Sequence, residues 1–127
     1  MEKMIFTAEE NSFIVEAEGK KLRVSYDEFC GSHEDAMKFC KEHGGGDETV
    51  ENLRFIAKYR DAINKELKKL DNKDIIEFWY WTNELSWRYS DCAFVVTAST
   101  GGVTDGRRYN LNHVRAVSAF HFEEFNF

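Results

Sequence analysis

The sequence predicts an α+β fold, two helices set apart from antiparallel β-sheets, on three observations. Apolar residues alternate with polar ones between Ser12 and Phe29, a 3.6-residue periodicity runs from Ser32 to Leu70, and β-branched and aromatic residues dominate from Ile75 onward. No repeat, linker or low-complexity tract interrupts the 127 residues, and 43% apolar content is enough for one core, so residues 1–127 read as a single domain.

The elements follow in order. A short strand is expected around Met4 to Phe6. Next come "SFIVEAE" and "KLRVSYDEF", which flank Gly19 and alternate at Phe13, Val15, Ala17 and Leu22, Val24, Tyr26, the pattern of a hairpin. Ser32 followed by Asp35 forms a variant capping box, and Ala36, Met37, Cys40 and His43 share a helical face that stops at Gly44-Gly45-Gly46. Thr49 is placed to cap a second helix, in which Val50, Leu53, Ile56, Ile63, Leu67 and Leu70 recur at helical spacing and a basic last turn suits the dipole. "IIEFWYWTNEL" then reads as a strand buried on both sides, with Trp79 and Trp81 on one face and Phe78 and Tyr80 on the other. "CAFVVTAS", a turn at Gly101-Gly102, a short "VT", a turn at Asp105-Gly106 and a closing strand "HVRAVSAFHF" complete the order.

Charge and composition exclude several function classes. Seventeen basic against 23 acidic residues give a net charge of -6, which repels phosphate backbones and anionic lipid, so nucleic acid is not an expected partner. No apolar run reaches the length of a secretory core or the roughly 20 residues that span a bilayer, so no signal peptide and no membrane insertion are expected. Cys30, Cys40 and Cys92 form no Cys-x-x-Cys pair, and read as free, largely buried thiols of a reducing compartment. The chain has no proline, so its turns rest on Gly, Asn and Asp.

Motifs for chemistry are missing. His33, His43, His113 and His121 show no metal-ligand spacing. "DNKD" lacks the Gly and distal Glu of a calcium loop, and "STGG" lacks the Gly-Lys-Ser/Thr ending of a phosphate loop. There is no Gly-x-Ser-x-Gly elbow. Neither a metal site, a cofactor nor an enzymatic activity is expected.

The stretch "YWTNELSWRYSDCAFVVTASTGGVTDGRRYNLNHVRAVSAF", Tyr80 to Phe120, resembles the C-terminal signature of bacterial and phage C-type-lectin-like domains. That group includes the modules ending Legionella collagen-like proteins and the variable proteins of diversity-generating retroelements. The matching positions are Tyr80, Trp81, Thr82, Glu84, Ala93, Phe94, Gly101, Val114, Arg115 and Val117. The resemblance implies a C-type-lectin-like fold whose apolar "FWYW" and "VRAVSAF" are scaffold, with the polar string between them on an outward face that meets other molecules. It implies no calcium-dependent sugar binding, since the proline-containing motif for that is impossible here. It also implies no helix-to-last-strand disulfide, because no cysteine lies near Val117.

The function expected from these readings is non-enzymatic recognition of a protein or glycan ligand on a cell or virion surface, calcium-independent. The resemblance points to a phage or prophage receptor-binding or virion-decoration protein, or a retroelement-diversified binder, virion-associated or cytoplasmic. A structural assembly protein of the same fold is one alternative. An enzyme of the formylglycine-generating group is another, disfavoured because only Cys92 stands where a reactive cysteine pair is needed. The candidate ligand-binding residues are Trp87, Arg88, Tyr89, Thr104, Asp105, Arg107, Tyr109, Asn112 and His113, where aromatic and arginine side chains offer contact area and directional donors. A homo-oligomer, a trimer by that resemblance, is expected to use the N-terminal hairpin or the "HFEEFNF" tail.

Overall fold

The computed structural model describes residues 3–75 and 78–120. Among these residues, nine strands and three helices run in the order β1 (Ile5–Ala8), β2 (Ser12–Ala17), β3 (Lys20–Ser25), β4 (Phe29–Gly31), α1 (His33–Glu42), α2 (Val50–Lys58), α3 (Arg60–Lys69), β5 (Trp79–Leu85), β6 (Cys92–Thr97), β7 (Val103–Arg107), β8 (Asn112–Val114) and β9 (Val117–Ala119). One sheet has the order β1-β2-β3-β9 and the other β4-β8-β5-β6-β7. All pairings are antiparallel except β5 with β8, which meet in parallel at Tyr80 and His113. The fold is α+β, as expected, with three helices in place of two. None of the described helices is long and apolar enough to cross a membrane.

The hairpin of β2 and β3 turns through Glu18 and Gly19, both at positive φ, the backbone a two-residue turn needs to follow the strand twist. Glu18 is not a residue that favours this conformation. Its carboxylate is held there by Lys58 Nζ at 2.6 Å and by the Tyr59 hydroxyl, and these bonds keep it below the usual carboxylate range, Lys58 contributing most. The expected second helix breaks at the same junction. Tyr59 leaves helical geometry at φ −103°, ψ 13°, so α2 ends there and α3 begins. The apolar spacing continues across the break, and for that reason the sequence reads as one helix.

Both expected caps form. Ser32 Oγ accepts the Asp35 N–H at 3.4 Å and Thr49 Oγ1 the Asn52 N–H at 3.1 Å. A carboxylate also reaches the start of α2 from β5, where Glu84 accepts the Val50 N–H at 2.6 Å.

The five-stranded sheet is buried on both faces at its centre. Tyr80 and Val96 point into a core with Phe13, Val15, Leu22 and Val24 of the first sheet and Leu53, Ile56, Ile63 and Leu67 of the helices. Trp81, Ala93 and Val95 point the other way, against Ala36 and Cys40 of α1 and Val114 and Ala116. This explains the continuous apolar run, because residues at either parity find a core.

Several details depart from the sequence reading. The central strand begins at Trp79, and Phe78 and Trp79 lie toward solvent at 64% and 38% exposure. They precede the part of β5 that is sandwiched, and Ile76 and Glu77 lie outside the described residues. Leu70 is exposed beyond the last packed turn of α3. His43 is exposed with its ring stacked on Phe39 at 3.9 Å, at the helix end rather than in the core. Cys30 is exposed on β4, while Cys40 and Cys92 are buried, and all three are free thiols.

Asp105 and Gly106 make no turn. They sit within β7, paired with Phe94 and Ala93. Glycine is needed because a Cβ at 106 would meet Val95 Cγ1 at 3.1 Å and Trp81 Cζ3 at 3.2 Å. The closing strand is two short ones in different sheets, β8 and β9, divided at Arg115 and Ala116. Arg115 is buried at this switch and donates from Nε to Glu28 Oε1 at 2.9 Å and from a terminal nitrogen to the carbonyls of Lys73 and Asp74 at 3.0 Å each. Its hydrogen bonds bind the end of β8 to two separate segments, so a charge can be buried without being orphaned. The Phe-rich tail from His121 lies outside the described residues.

Between α1 and α2, Glu48 is buried and its carboxylate accepts the backbone N–H groups of Val117 at 2.7 Å and Gly46 at 3.0 Å. Burial raises its acid above the usual range, and burial also pushes up the neighbouring Cys40 thiol, with Glu48 adding to that rise.

Candidate recognition surface

The connection from β5 to β6 opens at an irregularity, where the register shifts between Trp81 and Leu85. Ser86 then organises the loop. Its Oγ accepts the N–H groups of Arg88 at 3.1 Å and Tyr89 at 3.2 Å, its own N–H donates to the Cys92 carbonyl at 2.9 Å, and Cys92 N–H returns to the Tyr89 carbonyl at 3.1 Å. A six-residue loop closed by four such bonds presents Trp87, Arg88 and Tyr89 from a fixed backbone.

Trp87 is 79% exposed, yet it is not unsupported. Its ring meets Phe94 of β6 edge-on, with centroids 6.2 Å apart. The Arg88 guanidinium lies 5.0 Å from the Trp87 centroid and 6.0 Å from that of Phe94. Arg88 then bridges to Asp105 Oδ2 at 2.7 Å on β7. Phe94 and Asp105 are register partners, which places both under the loop. The other Asp105 oxygen, Oδ1, is buried and has no hydrogen-bond partner among the described residues.

Two positions further along β7, Arg107 is exposed and donates to the Tyr109 hydroxyl at 2.8 Å. By strand alternation Asp105 and Arg107 share the face of Phe94. Trp87, Arg88, Tyr89, Asp105, Arg107 and Tyr109 are thus all carried by the β6–β7 end of the sheet, on the Ser86–Asp91 loop, β7 and the turn after it.

Three candidates do not join them. Thr104 is exposed but alternates onto the opposite face, that of Gly106 and Trp81. Asn112 and His113 lie on β8, which β5 and β6 separate from β7. His113 belongs instead to a cluster with Glu28, Tyr80 and Phe78. Its Nδ1 stands 3.4 Å from Glu28 Oε2, and its ring is 5.9 Å from Tyr80 and 6.0 Å from Phe78. The polar string is continuous in sequence, but the chain crosses the sheet between Arg107 and Asn112. Nearness along the chain therefore does not become nearness on a face.

Phe94 and Ser86 are the residues that sequence reasoning passed over. Phe94 carried a signal, as the one aromatic in "CAFVV" at the opposite parity to Ala93 and Val95. Ser86 carried none beyond its position before the aromatic loop.

Concave regions also lie elsewhere, two of them at the start of α1 and beside α2. One is a shallow hollow between the start of α1 and the turn after β7, lined by Ser32, His33, Met37, Asp91, Arg108 and Tyr109. The other is a broad groove beside α2, where Lys20, Arg54 and Lys58 alternate with Glu18, Glu51 and Glu84. Two of its cations are paired, with Lys20 Nζ 2.5 Å from Glu51 and 2.8 Å from Asn52 Oδ1 and Lys58 Nζ 2.6 Å from Glu18.

No family model matches this chain, and neither a curated protein nor a solved structure is significantly similar to it.

Proposed function

We propose that the chain is a non-enzymatic recognition module that binds a protein or glycan surface through Trp87, Arg88, Tyr89, Arg107 and Tyr109. The observation that carries this reading is the Trp87 support: a large aromatic ring mostly in solvent, braced by Phe94, covered by Arg88 and locked through Asp105. Exposed aromatic and arginine side chains held in place before binding supply contact area with little ordering cost. The sheet order adds support for a C-type-lectin-like fold, since the last described strand returns to the N-terminal hairpin with the helices between them in sequence. On that fold the role is receptor binding or decoration of a phage or prophage virion, or retroelement-diversified binding, without calcium.

The test is a glycan array together with a displayed-peptide library, followed by single Ala substitutions of Trp87, Arg107 and Tyr109 measured against the best binder. At least one substitution is expected to weaken binding by about 1 kcal/mol or more. Unchanged affinity in all three variants would overturn the assignment of this surface.

A further inference from the structure

At the far edge of the five-stranded sheet from β7, β4 and β8 carry a thiol, an imidazole and a carboxylate that the recognition surface does not use. Cys30 and His113 are register partners in this antiparallel pair. Partners directly opposite point to one face, with Cβ atoms about 4.5–5.5 Å apart. His113 lies on the Tyr80 face, its ring 5.9 Å from that of Tyr80 and 6.0 Å from that of Phe78. Cys30 therefore emerges on this face too, and of the three free thiols it alone is exposed.

Glu28, two residues before Cys30, stands behind the imidazole. Its Oε2 is 3.4 Å from His113 Nδ1, while its Oε1 accepts from Arg115 Nε at 2.9 Å and from the Tyr80 hydroxyl at 2.5 Å. The side chains of Glu28 and Arg115 are 9% and 3% exposed, so the carboxylate is held by a buried cation. It favours the His113 tautomer with the proton on Nδ1, which leaves Nε2 as the basic nitrogen. A thiol beside an imidazole that is oriented in turn by a third group is the arrangement that makes cysteine a nucleophile. The exposed Cys30 side chain turns readily about its one rotatable bond to reach that nitrogen.

The other two thiols are placed differently. Cys40 packs with Trp81 on the α1 side of the sheet, and burial pushes its thiol up. Cys92 is buried on β6, with β8 and β5 between it and β4, and burial raises its thiol too, Asp91 adding to the rise. Neither stands where it could attack a bond made at Cys30.

We infer that Cys30 is a covalent modification site that takes up a disulfide, with His113 as its base and Glu28 positioning the imidazole. The Cys30 proton passes to His113 Nε2, and the Cys30 sulfur attacks one sulfur of the disulfide. A new S–S bond forms to Cys30 as the original one breaks, and the departing thiolate takes the proton from His113. The Cys30 sulfur is oxidised and the departing sulfur reduced, so the disulfide is the only co-reactant. With no second thiol to resolve it, the mixed disulfide persists, and the reaction is a single modification rather than a turnover.

The test reacts the folded full chain at neutral pH with oxidised glutathione and with an aromatic disulfide that releases a coloured thiolate, locating the adduct by peptide mass. The wild type is expected to take up one equivalent at Cys30 and to keep it until a reductant is added. Cys30→Ser is expected to take up none while folded. His113→Ala should react about tenfold more slowly, and added imidazole should speed it more than it speeds the wild type, which a merely structural histidine would not allow. Glu28→Gln keeps an acceptor for Tyr80 and Arg115 but offers His113 an amide donor. It should slow the reaction and move the ring proton from Nδ1 to Nε2, read by nitrogen NMR. Should Glu28→Gln fail to fold, the His113 variant still decides. Uptake first at Cys40 or Cys92, equal rates for wild type and His113→Ala, or an adduct that converts to an internal disulfide would each overturn the inference.

Discussion

Trp81 and Trp87 are six residues apart and belong to opposite economies of the molecule. Trp81 is 0% exposed, its Nε1 donates to the Gly31 carbonyl at 2.8 Å, and His33 meets its ring edge-on at 5.1 Å. Trp87 has a ring edge on Phe94, a guanidinium above it and water around the rest. Between them the strand's register slips and Ser86 closes the loop. The same residue type is scaffold where its polar atom and every ring face are accounted for, and contact surface where only its backing is.

The contrast can be broken at either end. Trp81→Ala should cost about 3 to 5 kcal/mol of stability, read from chemical denaturation, because the cavity it leaves is walled by both α1 and the sheet. Little change in the midpoint would mean that Trp81 is not the centre of that core. Gly106→Ala should cost about 1 to 3 kcal/mol, since the added methyl presses on Trp81 and Val95 in a region with no slack. A stabilised variant would show that the ring can move aside.

His33 sharpens the comparison through pH. Burial lowers its pKa below the usual 6.5, and nearby Arg108 adds to that, while the bond from Nε2 to the Thr82 carbonyl at 2.9 Å opposes it. A base whose folded pKa is depressed contributes stability above its unfolded value and loses it as pH falls below about 6.5 toward the folded one. The melting temperature should therefore drop between pH 7.5 and 5.5, and less steeply in His33→Gln, which keeps a donor for Thr82. Parallel pH curves for the two proteins would remove His33 from the account. At the small end, Trp87→Ala should change stability by no more than about 0.5 kcal/mol. A larger loss would make Trp87 part of the scaffold after all.

Local features were legible from sequence where a local cause produces them. Ser32 and Thr49 cap the helices they precede, and the β2–β3 hairpin forms where alternation and Gly19 place it. What the chain does not display locally was missed. The Tyr59 break sits where Lys58 and Tyr59 reach Glu18, on a turn some forty residues earlier that local periodicity does not register. Gly106 reads as a turn glycine because its real cause, the Trp81 ring beneath it, lies on another strand. For the surface, the residue types that recognise partners were visible as types. Thr104, Asn112 and His113 were misplaced because strand parity and the crossing from β7 to β8 decide the face, and neither is written in composition.

The pairing of β3 with β9 ties Leu22 and Val24 to Ala119 and Val117, residues almost a chain length apart. Read as a sequence of events, it makes the N-terminal sheet dependent on the last described segment to be synthesised. β1, β2 and β3 are local and can pair as soon as they emerge, but β3 then waits with an open edge while all three helices and the second sheet's strands are made. Closing so long a loop adds only about 0.6 kcal/mol per doubling of its length, so the burden falls on rate rather than on stability. Until β9 arrives, that edge is the segment of the nascent chain most open to pairing with a wrong partner.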